Sequence, residues 1–177
     1  MTFIEVIVAL VIIVTGILGS VAMQATAKQG SFDAMQRSLA SSLAQDIIAR
    51  MRAHAPAINP HVALTAYTLP DYGEEEDDPL GSRCNGVAVC SVGDMIAHDI
   101  FEWDLALKGG GVTAGTVNAG GLVGGRGCIT QIDNSNAYTV VVSWQGRTKT
   151  VDAGAGVGAC GIGGEKRRQV VVQAFIF

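Results

Sequence analysis

Charge is what this chain has least of. Only 16% of its 177 residues are Asp, Glu, Lys or Arg, and none lies between Glu5 and Lys28. The 12 Lys+Arg against 16 Asp+Glu give a formal charge of −4, with no lysine- or arginine-rich stretch that could neutralise a row of phosphates. A basic nucleic-acid binder is excluded. No positively charged segment precedes the first apolar run and no A-x-A-like site follows it, so a cleaved secretory signal is not expected. The glycines contain no G-x-x-x-x-G-K-[ST] phosphate loop, and no paired C-x-x-C marks a zinc site, with His54, His61 and His98 scattered. Neither a cofactor nor a metal is expected. What the chain has in quantity is apolar residues, 49%, and glycine, 23 residues, so it is not intrinsically disordered.

The apolar residues are unevenly spent. The run from Val6 to Met23 is broken only by Thr15, Gly16, Gly19 and Ser20. As a helix it would be about 27 Å long, close to the roughly 30 Å of a bilayer core. It is long for a buried core helix with apolar character on every face, so membrane insertion is the expectation. Glu5 is the anomaly, because a carboxylate at the head of an apolar helix is costly in lipid unless it has a partner. One reading makes it a boundary residue beside the positive end of the helix dipole. The other gives it a cation, and the nearest in this region is an α-amino group, which in a bundle of parallel helices could belong to a neighbouring chain.

The opening Met1-Thr2-Phe3-Ile4-Glu5-Val6-Ile7-Val8-Ala9-Leu10, continuing through Val14-Thr15-Gly16-Ile17-Leu18-Gly19, resembles the mature N-terminus of type IV pilins. In that family a short leader is removed by a prepilin peptidase, the new terminal amine is N-methylated, and the Glu at the matching position pairs with a neighbour's terminus during assembly. The resemblance therefore gives Met1 the processed, methylated position, where most members carry Phe, and gives Glu5 the assembly role. Gly16, Gly19 and Ser20 admit two readings, small residues for close helix approach or a weak point where the helix unwinds; related helices unwind there on packing into a fibre, although the helix-breaking proline common just beyond is absent here. Glycine inside a helix costs about 1 kcal/mol relative to alanine, which makes such loosening cheap.

After Met23 the apolar pattern becomes periodic, with Phe32, Met35, Leu39, Leu43, Ile47 and Met51 forming one stripe of an amphipathic helix. Arg37, Gln45, Asp46 and Arg50 suit its exposed face. A helix from about Thr2 to about Ala53 is expected, near 80 Å long. The division is then residues 1–28 as a transmembrane or filament-core helix, 29–54 as its amphipathic continuation, and 55–177 as a globular head. All four prolines fall between residues 56 and 79, marking residues 55–80 as a linker. The same window carries the acidic run Asp71, Glu74, Glu75, Glu76, Asp77 and Asp78, read as a solvated loop because the alternating spacing of an EF-hand is missing. Contact with a charged partner is its second use.

Four cysteines, Cys84, Cys90, Cys128 and Cys160, lie in the part an anchor would leave outside the cytoplasm. Three connectivities are open, and sequence separation favours Cys84 with Cys90 and Cys128 with Cys160. Asp94 to Lys108 reads as a helix opened by Asp94 as cap, with Met95, Ile96, Ile100, Trp103 and Leu107 as its apolar side and Asp99, Glu102 and Asp104 elsewhere. His98 beside those acids lacks any nucleophile or oxyanion motif, so a surface helix is expected rather than acid–base chemistry. Nine of the residues between Gly109 and Gly127 are glycine, a turning loop. Strands are expected at Ala137–Trp144, at Arg147–Val151 after a Gln145-Gly146 turn, and at Arg168–Phe177, in an antiparallel sheet spanning 128–177. An exposed loop is expected from Gly154 to Gly164.

Cys90, Asp99, Trp103 and Gly109-Gly110-Gly111 together resemble the corresponding block of PilV-type minor pilins. The resemblance implies an α+β pilin fold, with a long helix packed on a small sheet. It implies a structural subunit rather than an enzyme, held in the bacterial inner membrane with its head in the periplasm, then drawn by an assembly platform into an extracellular pilus. Its partners would be major and minor pilins, the prepilin peptidase and a tip adhesin, in a complex that primes assembly. A major pilin, a minor pseudopilin of a type II secretion system, and a membrane-anchored exported binding domain are the alternatives.

Overall fold

A computed structural model describes residues 2–55, 64–74, 84, 89–133, 135–150 and 160–177. The elements in chain order are helix α1 (Phe3–His54), strand β1 (Leu69–Tyr72), helix α2 (Val92–Lys108), short strands β2 (Thr113–Ala114) and β3 (Val117–Asn118), and strands β4 (Arg126–Gln131), β5 (Ala137–Gln145) and β6 (Arg167–Phe175). The architecture is α+β: a long N-terminal apolar helix, a small antiparallel sheet and two disulfides. The chain divides into two compact units, Met1–Met35 and Gln36–Phe177.

In the second unit the main sheet has the order β1-β4-β5-β6 with every pair antiparallel. Side chains alternate between its faces. Tyr138, Val140, Val142 and Trp144 of β5, with Ile129 of β4, point to a core completed by Ala40, Ala44, Ile47, Ile48 and Met51 of α1 and by Ile96, Trp103 and Leu107 of α2. On the opposite face Cys128, Val141 and Cys160 form a smaller buried cluster. The two disulfides join Cys84 to Cys90 and Cys128 to Cys160. Their loop lengths correspond, in the chain-entropy account, to about 2.4 and about 3.7 kcal/mol respectively. The longer one fixes the segment before β6 across the outer face of β4 and β5.

Several local expectations are corrected. The buried face of α1 runs through Gln36, Ala40, Leu43, Ala44, Ile47, Ile48, Met51 and His54. Met35 is instead exposed. Ala40 and Ala44 on this face are fully buried. The N-cap of α2 is Ser91 rather than Asp94. Ser91 Oγ accepts from the Asp94 backbone N–H while the Asp94 carboxylate accepts from the Ser91 N–H, a reciprocal capping box that starts the helix earlier. Its C-cap, Gly109, is left-handed at φ 75°.

The proline-rich window holds β1, in which Pro70 is tolerated because the strand lies at the sheet edge and is bulged between Leu69 and Tyr72. The glycine-rich loop contains the β2–β3 hairpin. No strand forms over residues 147–150, and Val151 lies outside the described residues. Arg147 to Thr150 offers no apolar face to bury, whereas Val170, Val172 and Ala174 of β6 do, so β6 pairs with β5 along its whole length from Ala137↔Phe175 to Gln145↔Arg167. Of the expected 154–164 loop, residues 160–164 are described; Gly154 to Ala159 lie outside the described residues.

Candidate assembly site and the polar clamp of the head

The first unit is a helix surface. An 18-residue window of α1 has a mean hydropathy of 2.8, and none of it is buried, so this helix is long and apolar enough to cross a membrane. Phe3, Ile4, Val8, Leu10, Ile13, Ile17, Leu18 and Val21 project on all sides and are exposed. The polar side chains within it are satisfied by its own backbone. Thr15 Oγ1 donates to the carbonyls of Val11 and Ile12 at 2.9 and 3.0 Å, Ser20 Oγ to Ile17 at 2.9 Å, and Thr26 Oγ1 to Ala22 at 3.2 Å. Such back-bonding lets hydroxyls enter an apolar medium without an orphaned donor. A Cβ built at Gly16 or Gly19 meets nothing within 4 Å, so both present bare backbone to whatever covers the helix.

Glu5 turns back over the first turn, where its Oε2 accepts the Thr2 backbone N–H at 2.7 Å. That carboxylate satisfies one of the donors every helix N-terminus leaves unpaired and lies at the positive end of the dipole. Met1, the other half of the expected pair, lies outside the described residues. α1 is continuous through Gly16 and Gly19 in the single chain; the loosening expected there concerns the packed fibre.

The polar groups of the second unit converge where α2 lies on α1. Arg50 donates to Asp46 at 3.0 Å, to Asp99 at 2.7 Å and to Glu102 at 3.0 Å. His54 Nε2 lies 3.0 Å from the second Asp99 oxygen, which also accepts the Tyr67 hydroxyl at 3.1 Å. His98 Nε2 lies 3.2 Å from Glu102. Burial works against the Arg50 charge, yet the hydrogen-bonded carboxylates of Asp99 and Glu102, with Asp46, outweigh it and hold its pKa above the ordinary arginine value. Burial, reinforced by the Asp99 carboxylate, raises the Tyr67 phenol well above its usual range. One turn on, Trp103 Nε1 donates to the Leu43 carbonyl at 2.8 Å, and Asp104 accepts from the Gly73 N–H and pairs with Lys108 at 2.9 Å.

This corrects the reading of α2 as a surface helix with its acids turned away. Asp99 and Asp104 are inward; Asp99 collects donors from α1 and from Tyr67, and Asp104 one from Gly73. Arg50, placed by periodicity on the exposed face of α1, is half-buried. The signal for it was present: Asp46, Arg50 and His54 are spaced four apart along one helical row, a chargeable stripe beside the apolar one. The cluster is a polar clamp: the Asp99 oxygens are occupied by Arg50, His54 and Tyr67. Both cysteine pairs are disulfides, and among the described residues no three His, Cys, Asp or Glu side chains converge as a metal site. Of the acidic run, Asp71 and Glu74 lie 3.8 and 3.9 Å from Arg126; Glu75 to Asp78 lie outside the described residues.

No family model matches the chain, and no curated protein or solved structure matches it.

Proposed function

We propose that this chain is a structural subunit of a type IV pilus, a minor pilin of the PilV type, and not an enzyme. The observation that carries the reading is the exposed apolar half of α1 with Glu5 at its head and no other charge before Lys28. The layout behind it, a small antiparallel sheet with two disulfides, is compatible with a pilin-like shape. The helix is stored in the inner membrane with the head in the periplasm, then transferred into the core of an extracellular fibre, where other major and minor pilins replace lipid around it. A prepilin peptidase and an inner-membrane assembly platform act on it before that transfer, and the assembled subunit primes the fibre and supports a tip adhesin.

In the fibre Glu5 exchanges its contact with Thr2 for the methylated terminal amine of an adjoining subunit. A buried ion costs several kcal/mol when unpaired, so each subunit that arrives in register neutralises two such costs and one that arrives out of register leaves both standing. Glu5→Ala and Glu5→Leu test this, with the variant expressed in a piliated cell and the sheared fibres probed for the chain. The expected result is membrane insertion as before with loss from the fibres. Incorporation at the unmodified level overturns the pairing mechanism. A chain that proves to be the dominant protein of those fibres is a major pilin instead.

A further inference from the structure

The outer face of the sheet carries a second polar feature that the filament reading does not use. A recess of about 510 Å³ opens between Gly124 and Arg126 before and in β4, Gln145 at the end of β5, and the segment Ile162–Arg167. Two arginines form its floor. Arg167 is 9% exposed, and its Nε and Nη2 both donate to Ser143 Oγ at 3.1 and 2.9 Å, while that hydroxyl donates to the Cys160 carbonyl at 2.7 Å. The guanidinium plane is thereby fixed, with its Nη1 left toward Gly124 and without a protein acceptor among the described residues.

Arg126 is equally short of acceptors. Its Nη1 is buried with no hydrogen-bond partner, and its nearest carboxylates, Asp71 and Glu74, stand at 3.8 and 3.9 Å, beyond hydrogen-bond length. Gly161 closes the two against each other: a Cβ there would lie 2.5 Å from Arg126 Cγ and 2.7 Å from Arg167 Nη2. Lys166 adds a third cation to the lining. Glu165, the one carboxylate in it among the described residues, is engaged by Lys149 at 2.6 Å. Burial, then the neighbouring Arg126 cation, pulls the Arg167 pKa below its ordinary value, with Asp71 opposing.

We propose that this recess binds a small oxyanion, a carboxylate or phosphate group held between the guanidinium groups of Arg126 and Arg167. A buried and a half-buried cation side by side with unused donors are costly alone, and an anion accepting from both relieves the repulsion and the missing hydrogen bonds together. The arrangement is preorganised, because Ser143, the Cys160 carbonyl and the Cys128–Cys160 disulfide hold the site without a ligand. It is independent of whether the chain enters a pilus.

The test is calorimetric titration of the full chain in nonionic detergent micelles in a chloride buffer, with inorganic phosphate in one arm and acetate in the other. Saturable one-to-one binding of phosphate identifies a phosphate-bearing ligand, and of acetate a carboxylate. Affinity falls tenfold or more in Arg126→Gln and in Arg167→Gln and rises several-fold in Asp71→Asn, which removes the competing internal charge. Arg167→Gln also cuts the Ser143 network, so if that variant does not fold, Arg126→Gln, which leaves the network intact, decides alone. No saturable binding of either probe, or unchanged affinity in Arg126→Gln, overturns the proposal.

Discussion

Replacing Arg50 by Met keeps its length and removes its charge, and the consequence can be worked group by group. The Asp99 bond is the substantial loss, since that side chain is 15% exposed, and a hydrogen bond to a charged group at such a site contributes about 1.5–3 kcal/mol. Glu102 and Asp46 are 37% and 45% exposed, so each pair adds at most about 0.5 kcal/mol after solvent screening. Asp99 keeps His54 and Tyr67, which limits the penalty of the carboxylate left behind. The expected destabilisation is about 2–3 kcal/mol, and for a chain of this size that lowers Tm by roughly 4–12 °C. Near-UV circular dichroism of the full chain in micelles reads it, with the buried Trp103 and Trp144 as reporters. The decisive measurement is the double-mutant cycle of Arg50→Met with Asp99→Asn, expected to give a coupling of about 1–3 kcal/mol. A coupling below about 0.3 kcal/mol would refute the clamp and leave Arg50 as a surface residue that happens to lie near an acid.

Two further outcomes follow from packing and burial. Gly127→Ala places a Cβ 2.3 Å from Trp103 Cη2 and 2.6 Å from Cζ3, and the indole cannot yield because its Nε1 is held by the Leu43 carbonyl. The expected cost is about 1–3 kcal/mol by thermal unfolding, whereas a neutral result would mean that α2 shifts freely on the sheet. Burial holds the phenols of both Tyr67 and Tyr72 above their usual value, with Asp99 and Asp104 respectively adding to it. A raised phenol pKa leaves stability untouched below about pH 10; above it the unfolded chain sheds protons the folded one keeps, so stability falls by up to about 1.4 kcal/mol per pH unit for each tyrosine. Denaturation midpoints measured across that range should fall with rising pH, less steeply in Tyr67→Phe; phenolate absorbance from both residues in the folded chain at pH 10 would contradict the burial argument.

The elements legible in the sequence were those whose signal is local. The uncharged run after Glu5 required a helix wherever it was placed, and the periodic residues from Phe32 to Met51 continued it. β5 and β6 announced themselves through Val140-Val141-Val142 and Val170-Val171-Val172. The failures came where a distant partner decides the outcome. Pro70 argued against a strand, but an edge strand needs bonds on one side only, and β4 supplied them. Gln145-Gly146 looked like a hairpin turn, yet the Gly146 N–H donates to the Lys166 carbonyl and the chain runs on. Asp99 looked like a solvent-facing acid because its three donors lie 32 to 49 residues away. Arg126 and Arg167 gave no warning at all, since nothing in the sequence places the start of β4 beside the start of β6.

The change in burial along α1 bears most directly on function. From Gln36 to His54 one row of the helix is covered by the head, beginning where Gln36 Oε1 accepts the Val123 N–H at 3.0 Å. Before Met35 no such row exists. Fourteen large apolar side chains between Phe3 and Met23 each keep between 45% and 83% of their surface exposed. Burying a Val, Leu or Ile fully yields about 1.5–3 kcal/mol, so covering these half-exposed residues is worth on the order of 15 kcal/mol. That equals or exceeds the whole net stability of an ordinary domain, about 5–15 kcal/mol. A head stabilised on its own terms by the Arg50 clamp and two disulfides does not need that energy, so it is free to drive something else. Lipid can supply the cover, and so, on the proposed reading, can the helices of other subunits, which would also give Glu5 a cation. On the proposed reading, transfer from one to the other is nearly neutral in apolar burial and the single carboxylate decides it, so one substitution at residue 5 is expected to separate membrane insertion from assembly.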